Sequence, residues 1–444
     1  MTEPLILVLA AGKGTRMKSA LPKILHPILF RPMVHYVLDL AKALGGKHIG
    51  MVIGHGADEV RKSCEPWGVE FFLQEQQLGT GHAVKMADAL LQRGGTVVLL
   101  SGDVPLTRPE TLKKMLEVHT KAGALVTVGT ARIANPKGYG RIIPSDDGGL
   151  ADIREEKDAT PEERKIDEVN GGIYCFDALA LRQALSGLSN DNAQGEFYLT
   201  DTIRLLAKKG KTARFLFEDE WEIFGVNDRA ALADAEAEMR LRVNRAYMLE
   251  GVSILDPRAT YIDPRCKLER DVTIEPGAVL INSAVGSGTR IKAGSYVERS
   301  TIGRNVNVGP YAHLRPDTVL GDDVKIGNFV ETKKATFAEG AKASHLSYIG
   351  DATIGRDVNI GCGFITCNYD GGPVKLKTTI EDGAFIGSDS QAVAPVTIGA
   401  GAYVATGTTV TEDVPADALA ISRGRQVNKP GYAKKLRERA KKPA

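Results

Sequence analysis

At 444 residues the chain is too long for one ordinary core, and its 43% hydrophobic and 25% charged residues are the balance of a soluble globular protein. A formal net charge of +2 excludes a general nucleic-acid coat and a basic membrane-surface layer. Five cysteines, an odd number without a C-x-x-C pair, predict reduced thiols, a cytoplasmic location and no zinc cage.

The apolar start LILVLAAG is too short to span a bilayer, and a basic loop follows it instead of a cleavage site, so it reads as a buried strand over Leu5–Leu9. Leu9 and Ala10 end that strand. The loop AAGKGTRMKSALPKIL then combines Gly12 and Gly14, which allow close backbone approach, with the cations Lys13, Arg16, Lys18 and Lys23. Such a loop suits a polyphosphate; the alternative is a glycine-rich turn with solvated lysines. It matches neither standard phosphate motif, because Met17 stands where G-x-G-x-x-G needs its third glycine.

Helical spacing follows over Val34–Ala43, and short strands over His48–Ile53, VEFFLQ and Thr96–Leu100. Strands alternating with helices predict a parallel sheet covered on both faces, with ligands beyond the carboxyl ends of the strands. Gln74 and the turn Leu78-Gly79-Thr80-Gly81 could present backbone amides to a base edge. Asp103 ends VVLLSGD at the same sheet edge, placed to hold a Mg²⁺–nucleotide complex or, alternatively, to cap a turn. Residues 228–250 lack Pro and Gly, and Leu232, Ala235, Met239, Val243 and Ala246 form one apolar stripe on a connecting helix.

After Gly251 an aliphatic residue recurs every six positions: Ile262, Leu268, Ile274 and Leu280, then Ile302 through Ile326, and Ile398, Val404 and Val410. That period predicts a parallel β-helix with three units per coil. The period fails near Thr332–Ile349 and again at Asn368–Lys377. Both are expected to be inserted loops, the first holding His345 and the second opening with Asn368-Tyr369-Asp370-Gly371. The tail from Arg423 carries nine Lys/Arg against one Glu, suited to coenzyme phosphates or to solubility.

The motifs LAAGKGTRM, LPK, QLGTGHA, GDVPL, GYGRI, GEFYLTD and GVN, followed by HL–YIGD, GNFVE–KKA, ITCNYDG, GSDSQ–VAPV and ISRG, resemble the GlmU family along nearly the whole chain. The resemblance implies an α/β Rossmann-like nucleotidyltransferase domain followed by a left-handed parallel β-helix (hexapeptide repeat) domain. The implied boundaries are 1–228 for uridylyl transfer, 229–251 for the connector, 252–422 for acetyl transfer and 423–444 for the tail. The implied reactions are N-acetylation of glucosamine-1-phosphate by acetyl-CoA, then uridylyl transfer from UTP to give UDP-N-acetylglucosamine.

By the same resemblance, Leu9, Ala10, Gly12, Gly14, Arg16, Lys23, Gln74, Gly79 and Thr80 would hold UTP. Gly138, Glu155, Asn170 and Asn227 would hold the sugar phosphate. Asp103 with Asn227 would bind Mg²⁺, with room for two divalent ions. His345 would be the acetylation base. Arg315, Lys333, Tyr348, Asn359 and Lys375 would grip its substrate, although one extra residue after NYDG leaves Lys377 as an alternative to Lys375. Cys362, Asn368, Tyr369, Ser388, Thr406 and Arg423 would line the acetyl-CoA path. Cys362 itself reads as a small side chain buried in the coil. The expected assembly is a homotrimer with sites between subunits, free of nucleic acid and of stable membrane association. An alternative is a sugar-1-phosphate nucleotidyltransferase with a merely oligomerising β-helix, which needs neither His345 nor NYDG. A non-enzymatic translation-factor-type subunit would need neither the loop lysines nor Asp103.

Overall fold

The computed structural model describes residues 3–145 and 149–440, and its two compact units divide between Met239 and Arg240. In the first unit the strands of the nine-stranded sheet are β1 (Leu5–Ala10), β2 (Ile49–Ile53), β3 (Glu70–Leu73), β4 (Thr96–Ser101), β5 (Val126–Arg132), β6 (Arg141–Pro144), β7 (Leu150–Arg154), β8 (Glu168–Asp177) and β9 (Thr212–Leu216). The main sheet runs β9-β5-β8-β4-β1-β2-β3. The central β1 and β2 are almost wholly buried, which is why they read as aliphatic runs without alternation. The sheet is mixed, not purely parallel: β8 runs antiparallel to both β4 and β5.

Register brings the loops together. Leu9 of β1 pairs with Ser101 of β4, so the glycine loop and Asp103 leave the sheet at one edge. The Val226 N–H donates to the Asp103 carbonyl at 2.9 Å, which sets Asn227 beside Asp103. The LGTG turn is tied to GEFYLTD by Phe197 N–H to Leu78 O and Gly81 N–H to Phe197 O, both 2.8 Å. The β6–β7 hairpin carries Gly138 just before it and Glu155 just after it. It joins β8 where Arg141 pairs with Val169, and the Asn170 N–H donates to Gly140 O at 2.8 Å.

The second unit is a parallel β-helix in which each short strand pairs with the third strand on, giving three faces. Ile274, Ile291 and Val308 stack at successive coils, as do Leu280, Val297 and Leu314, all inside one continuous buried core. Each such side chain is worth about 1.5–3 kcal/mol of burial. Corners turn through left-handed backbone, where Asp271, Asp317, Asp323, Asp357, Asp389 and Asp417 recur; short polar side chains tolerate that conformation.

Of the two expected insertions, the first is corrected. The irregularity at Thr332–Ile349 is not an inserted loop: Lys325–Phe337 and Lys342–Ile354 are 13-residue strands paired in register from end to end. Ala343 follows Ile326 after 17 residues, one short of three hexads, so counting by six loses phase while the coil continues. The break at Asn368–Lys377 is a true insertion, because Ile354 next pairs with Ile380.

The helix Arg229–Leu249, α1 here, covers the predicted connector. Ala235 and Met239 are buried as expected, but Ala246 is exposed and Asn244 is fully buried instead. The Asn244 Nδ2 donates to the carbonyls of Pro257 and Thr260 at 2.8 and 2.9 Å, which satisfies the donor half of the buried amide. In the tail, Tyr432–Ala440 forms a helix, and residues 441–444 lie outside the described part. Among the described residues no helix is long and apolar enough to cross a membrane.

Candidate active sites

A cleft of about 540 Å³ opens at the carboxyl edge of the sheet, lined by Leu9, Ala10, Gly12, Gly14, Lys23, Gln74, Gly79, Thr80 and Asp103. Lys13, one of the loop cations, also lines it, as do Gln77, Ser101 and Glu196, which were not singled out by sequence. Gly14 has a φ of +59°, and a Cβ there would stand 2.6 Å from the Lys23 Cβ, so only glycine lets Lys23 turn inward. A Cβ on Gly12 would meet nothing within 4 Å, which leaves that backbone open to a ligand.

Lys23 Nζ forms an ion pair with Asp103 Oδ2 and lies 3.3 Å from Asn227 Oδ1. Arg16 Nη2 donates to the same Asn227 oxygen at 2.9 Å. Four side chains from three distant segments therefore meet at one point. The donor set there, a carboxylate and an amide oxygen already drawing an ammonium, fits a hard divalent cation that keeps water and phosphate as its other ligands. Among the described residues no group of three or more His, Cys, Asp or Glu forms a metal cage.

Gln74 is buried, and its amide donates to Gly79 O at 3.1 Å and contacts His82 Nδ1 at 3.0 Å, which fixes the turn. Thr80 Oγ1 accepts from Leu199 N–H at 3.1 Å. Gly138 needs its φ of +89° but has open space around it. Asn170 Nδ2 donates to the Tyr174 hydroxyl at 2.7 Å, and burial pushes that phenol well above its usual range. The Glu155 carboxylate accepts from Thr200 Oγ1 at 2.9 Å. Burial holds the Glu155 carboxyl above the usual range; the Thr200 bond opposes this, while Asp158 and Asp201 add to it. Thr200 was missed by sequence because it lies 45 residues away.

In the β-helix His345 is exposed, and its Nδ1 lies 3.0 Å from Asn328 Oδ1, the residue one coil earlier in the same register. That partner was missed, although a 17-residue step would have found it. The flanking corners are strained: Phe329 and Leu346 have φ of +57° and +33°, values that bulky side chains rarely adopt. Since Ala343 pairs with Ile360, Ile360 with Ile386 and Ile386 with Val404, His345 shares its corner with Cys362, Ser388 and Thr406 on later coils. Cys362 is exposed there, not buried as expected, because it stands at a corner and not on an inward strand position. Arg423 Nη1 donates to Thr406 O at 2.6 Å, extending the column.

Arg315 and Lys333, expected to grip the substrate, do not join His345 within this chain. Arg315 and Lys333 stack at the other end of the face, with Lys333 in register with Gly350, five residues or roughly 16 Å of extended chain from His345. Arg315 Nη1 pairs with Glu331 at 2.7 Å. Tyr348 lies on the face between, and Asn359 on the neighbouring one. Asn368 is buried and donates to Asp351 Oδ2 at 2.6 Å, anchoring the inserted loop. Tyr369 is exposed with Lys375 Nζ 5.9 Å above its ring; Lys377 is exposed as well. Cys64 and Cys266 are buried thiols pushed up to about 12 by burial, hence unreactive.

The fold and the cleft define a sugar-nucleotide type of nucleotidyltransferase joined to a hexapeptide-repeat domain of the acyltransferase type. Residues 5–238 match the nucleotidyl transferase family, 243–338 a GMPPB C-terminal domain, and 377–412 a hexapeptide repeat of succinyl-transferase. The chain is 51% identical to the bifunctional protein GlmU of Pelobacter propionicus over 98% of both chains. It is 50% identical to that of Bacillus subtilis, over 99% of this chain and all of the relative. A solved UDP-glucose pyrophosphorylase complexed with UDP-glucose is 21% identical with a TM-score of 0.44, covering 55% of this chain and 99% of that one. The chain belongs to the GlmU family: it is a bifunctional transferase that makes UDP-N-acetylglucosamine, with nucleoside triphosphate and sugar phosphate as substrates.

Proposed function

We propose that residues 1–228 carry out uridylyl transfer and residues 252–422 acetyl transfer from acetyl-CoA, with 229–251 as connector and 423–444 as a tail reaching for coenzyme phosphates. The reading of the first site rests on one observation, the meeting of Arg16, Lys23, Asp103 and Asn227 in a glycine-walled cleft. Gly12, Gly14, Arg16 and Lys23 hold the triphosphate beside Leu9 and Ala10, and Gln74, Gly79 and Thr80 hold the uracil. Gly138, Glu155 and Asn170 orient the amino sugar so that its phosphate oxygen faces the α-phosphorus and pyrophosphate leaves on the far side. No protein nucleophile is required, since positioning and charge neutralisation carry this chemistry. Asp103 and Asn227 would hold Mg²⁺, which supplies neutralisation of phosphate charge when bound.

In the second site His345 acts as general base. Asn328 fixes one ring nitrogen, leaving Nε2 to take the proton from the substrate ammonium as the amine attacks the thioester carbonyl. Coenzyme A departs along the corner of Cys362, Ser388 and Thr406, past Asn368 and Tyr369, with Arg423 beyond. Arg315, Lys333, Tyr348, Asn359 and Lys375 grip the sugar phosphate. Their separation from His345 in one chain supports a homotrimer in which neighbouring subunits complete each site. Free thiols at all five cysteines support a cytoplasmic setting. The test is incubation with UTP, acetyl-CoA, glucosamine-1-phosphate and Mg²⁺, following UDP-sugar and free coenzyme A together. Coenzyme release without UDP-sugar, or the reverse, would remove one of the two assignments.

A further inference from the structure

Asp103 does not face solvent alone. Its carboxylate and the Lys23 ammonium are both largely withdrawn, with side chains 21% and 15% exposed, and they form an ion pair. The Asn227 oxygen beside them receives Arg16 at 2.9 Å and lies 3.3 Å from Lys23. One carboxylate oxygen of Asp103 and the amide oxygen of Asn227 are thus already engaged by the chain's own cations. The lysine is built into this position. Its stem fills the space that any side chain at residue 14 would need, and the left-handed turn at Gly14 directs it inward. A divalent ion and an ammonium cannot share one carboxylate oxygen at contact distance, because like charges repel strongly in a partly dry cleft. An ammonium expelled from its carboxylate also needs another anion close by. The triphosphate proposed for the same cleft wall would supply it.

We propose that Lys23 and the divalent cation are alternative occupants of one seat at Asp103 and Asn227, so that the metal enters together with the nucleotide, which draws Lys23 away. Lys23 is then a positioning residue that holds the metal ligands in place and keeps the free ion out until substrate arrives. This rests on the assignment of Asp103 and Asn227 as metal ligands.

The test is titration of the full chain with Mn²⁺, reading free Mn²⁺ by electron paramagnetic resonance, with and without α,β-methylene-UTP. Wild type should bind Mn²⁺ weakly alone and tightly with the analogue. Lys23→Gln, without nucleotide, should bind Mn²⁺ about tenfold more tightly than wild type, the size of a close charge-pair coupling. Lys23→Met, which keeps the stem packing, should do the same and replaces it should the Gln variant melt early. Asp103→Asn should abolish the site in every background. Lys13→Gln, on the same cleft wall, should change nucleotide-free binding far less than Lys23→Gln. If Lys13→Gln matches Lys23→Gln, the effect is only a general field and the proposal falls. If neither Lys23 variant binds Mn²⁺ more tightly while Asp103→Asn still abolishes binding, the exchange is wrong and the metal assignment stands. If Asp103→Asn binds Mn²⁺ like wild type, the metal assignment itself is wrong.

Discussion

The two halves assemble their sites by opposite rules. In the α/β unit, residues that touch are far apart in the chain: Arg16 and Asn227 are 211 positions apart, Lys23 and Asp103 80. In the β-helix, Asn328 and His345 are 17 positions apart, and Cys362, Ser388 and Thr406 repeat along the same corner. A sheet edge can gather any loops that emerge from it, whereas a solenoid brings together only what its coil period stacks. The first site therefore closes within one chain. The second leaves His345 and the cations Arg315 and Lys333 at opposite ends of a face.

The sharpest break of this comparison is Asp103→Ala. It should abolish uridylyl transfer while acetyl transfer, measured as coenzyme A release, stays at the wild-type rate. Loss of both would mean that the halves are not chemically separate. His345→Ala should lower acetyl transfer about 10²–10⁴-fold, with uridylyl transfer from pre-acetylated sugar phosphate unchanged. Wild-type acetylation across pH 6–8 would make His345 structural. Gly14→Ala should cost about 1–2 kcal/mol through its left-handed backbone and displace Lys23, visible as a lowered Tm together with weaker UTP binding. A variant with unchanged UTP affinity would show that the loop does not position Lys23.

The smallest effect expected is in the pH dependence of stability. Because burial raises the Glu155 carboxyl above its unfolded value, the folded state binds the extra proton. That contribution is present below the ordinary glutamate range and is lost as pH rises through the raised value. Glu155→Gln should therefore melt higher than wild type at pH 7.5, and the gap should close toward pH 4. A gap that stays constant with pH would locate its cause elsewhere.

These rules also explain what was legible in the sequence. The aliphatic runs of β1, β2 and β4 and the six-residue period identify both folds, because burial forces those patterns directly. The phase slip at 332–349 was misread because a 17-residue coil and an insertion look alike to a count by six. Asn328 was within reach of the coil period, but Thr200 was not, since its meeting with Glu155 depends on the path of the β6–β7 hairpin. Ala246 and Asn244 exchanged roles because two backbone carbonyls, invisible in the sequence, receive the Asn244 amide.

The second half of α1 has a consequence for dividing the protein. Val243, Tyr247 and Met248 pack on the β-helix core, and Tyr247 donates to Cys266 O at 2.8 Å. This segment is the plug of an otherwise open cylinder. A fragment beginning at residue 252 would present the first coil's apolar bore and raw strand edge to its neighbours, a template for end-to-end polymerisation. One beginning at Arg240 keeps the plug. Scattering from the two fragments at equal concentration should show discrete particles for the longer one and growing fibres or precipitate for the shorter.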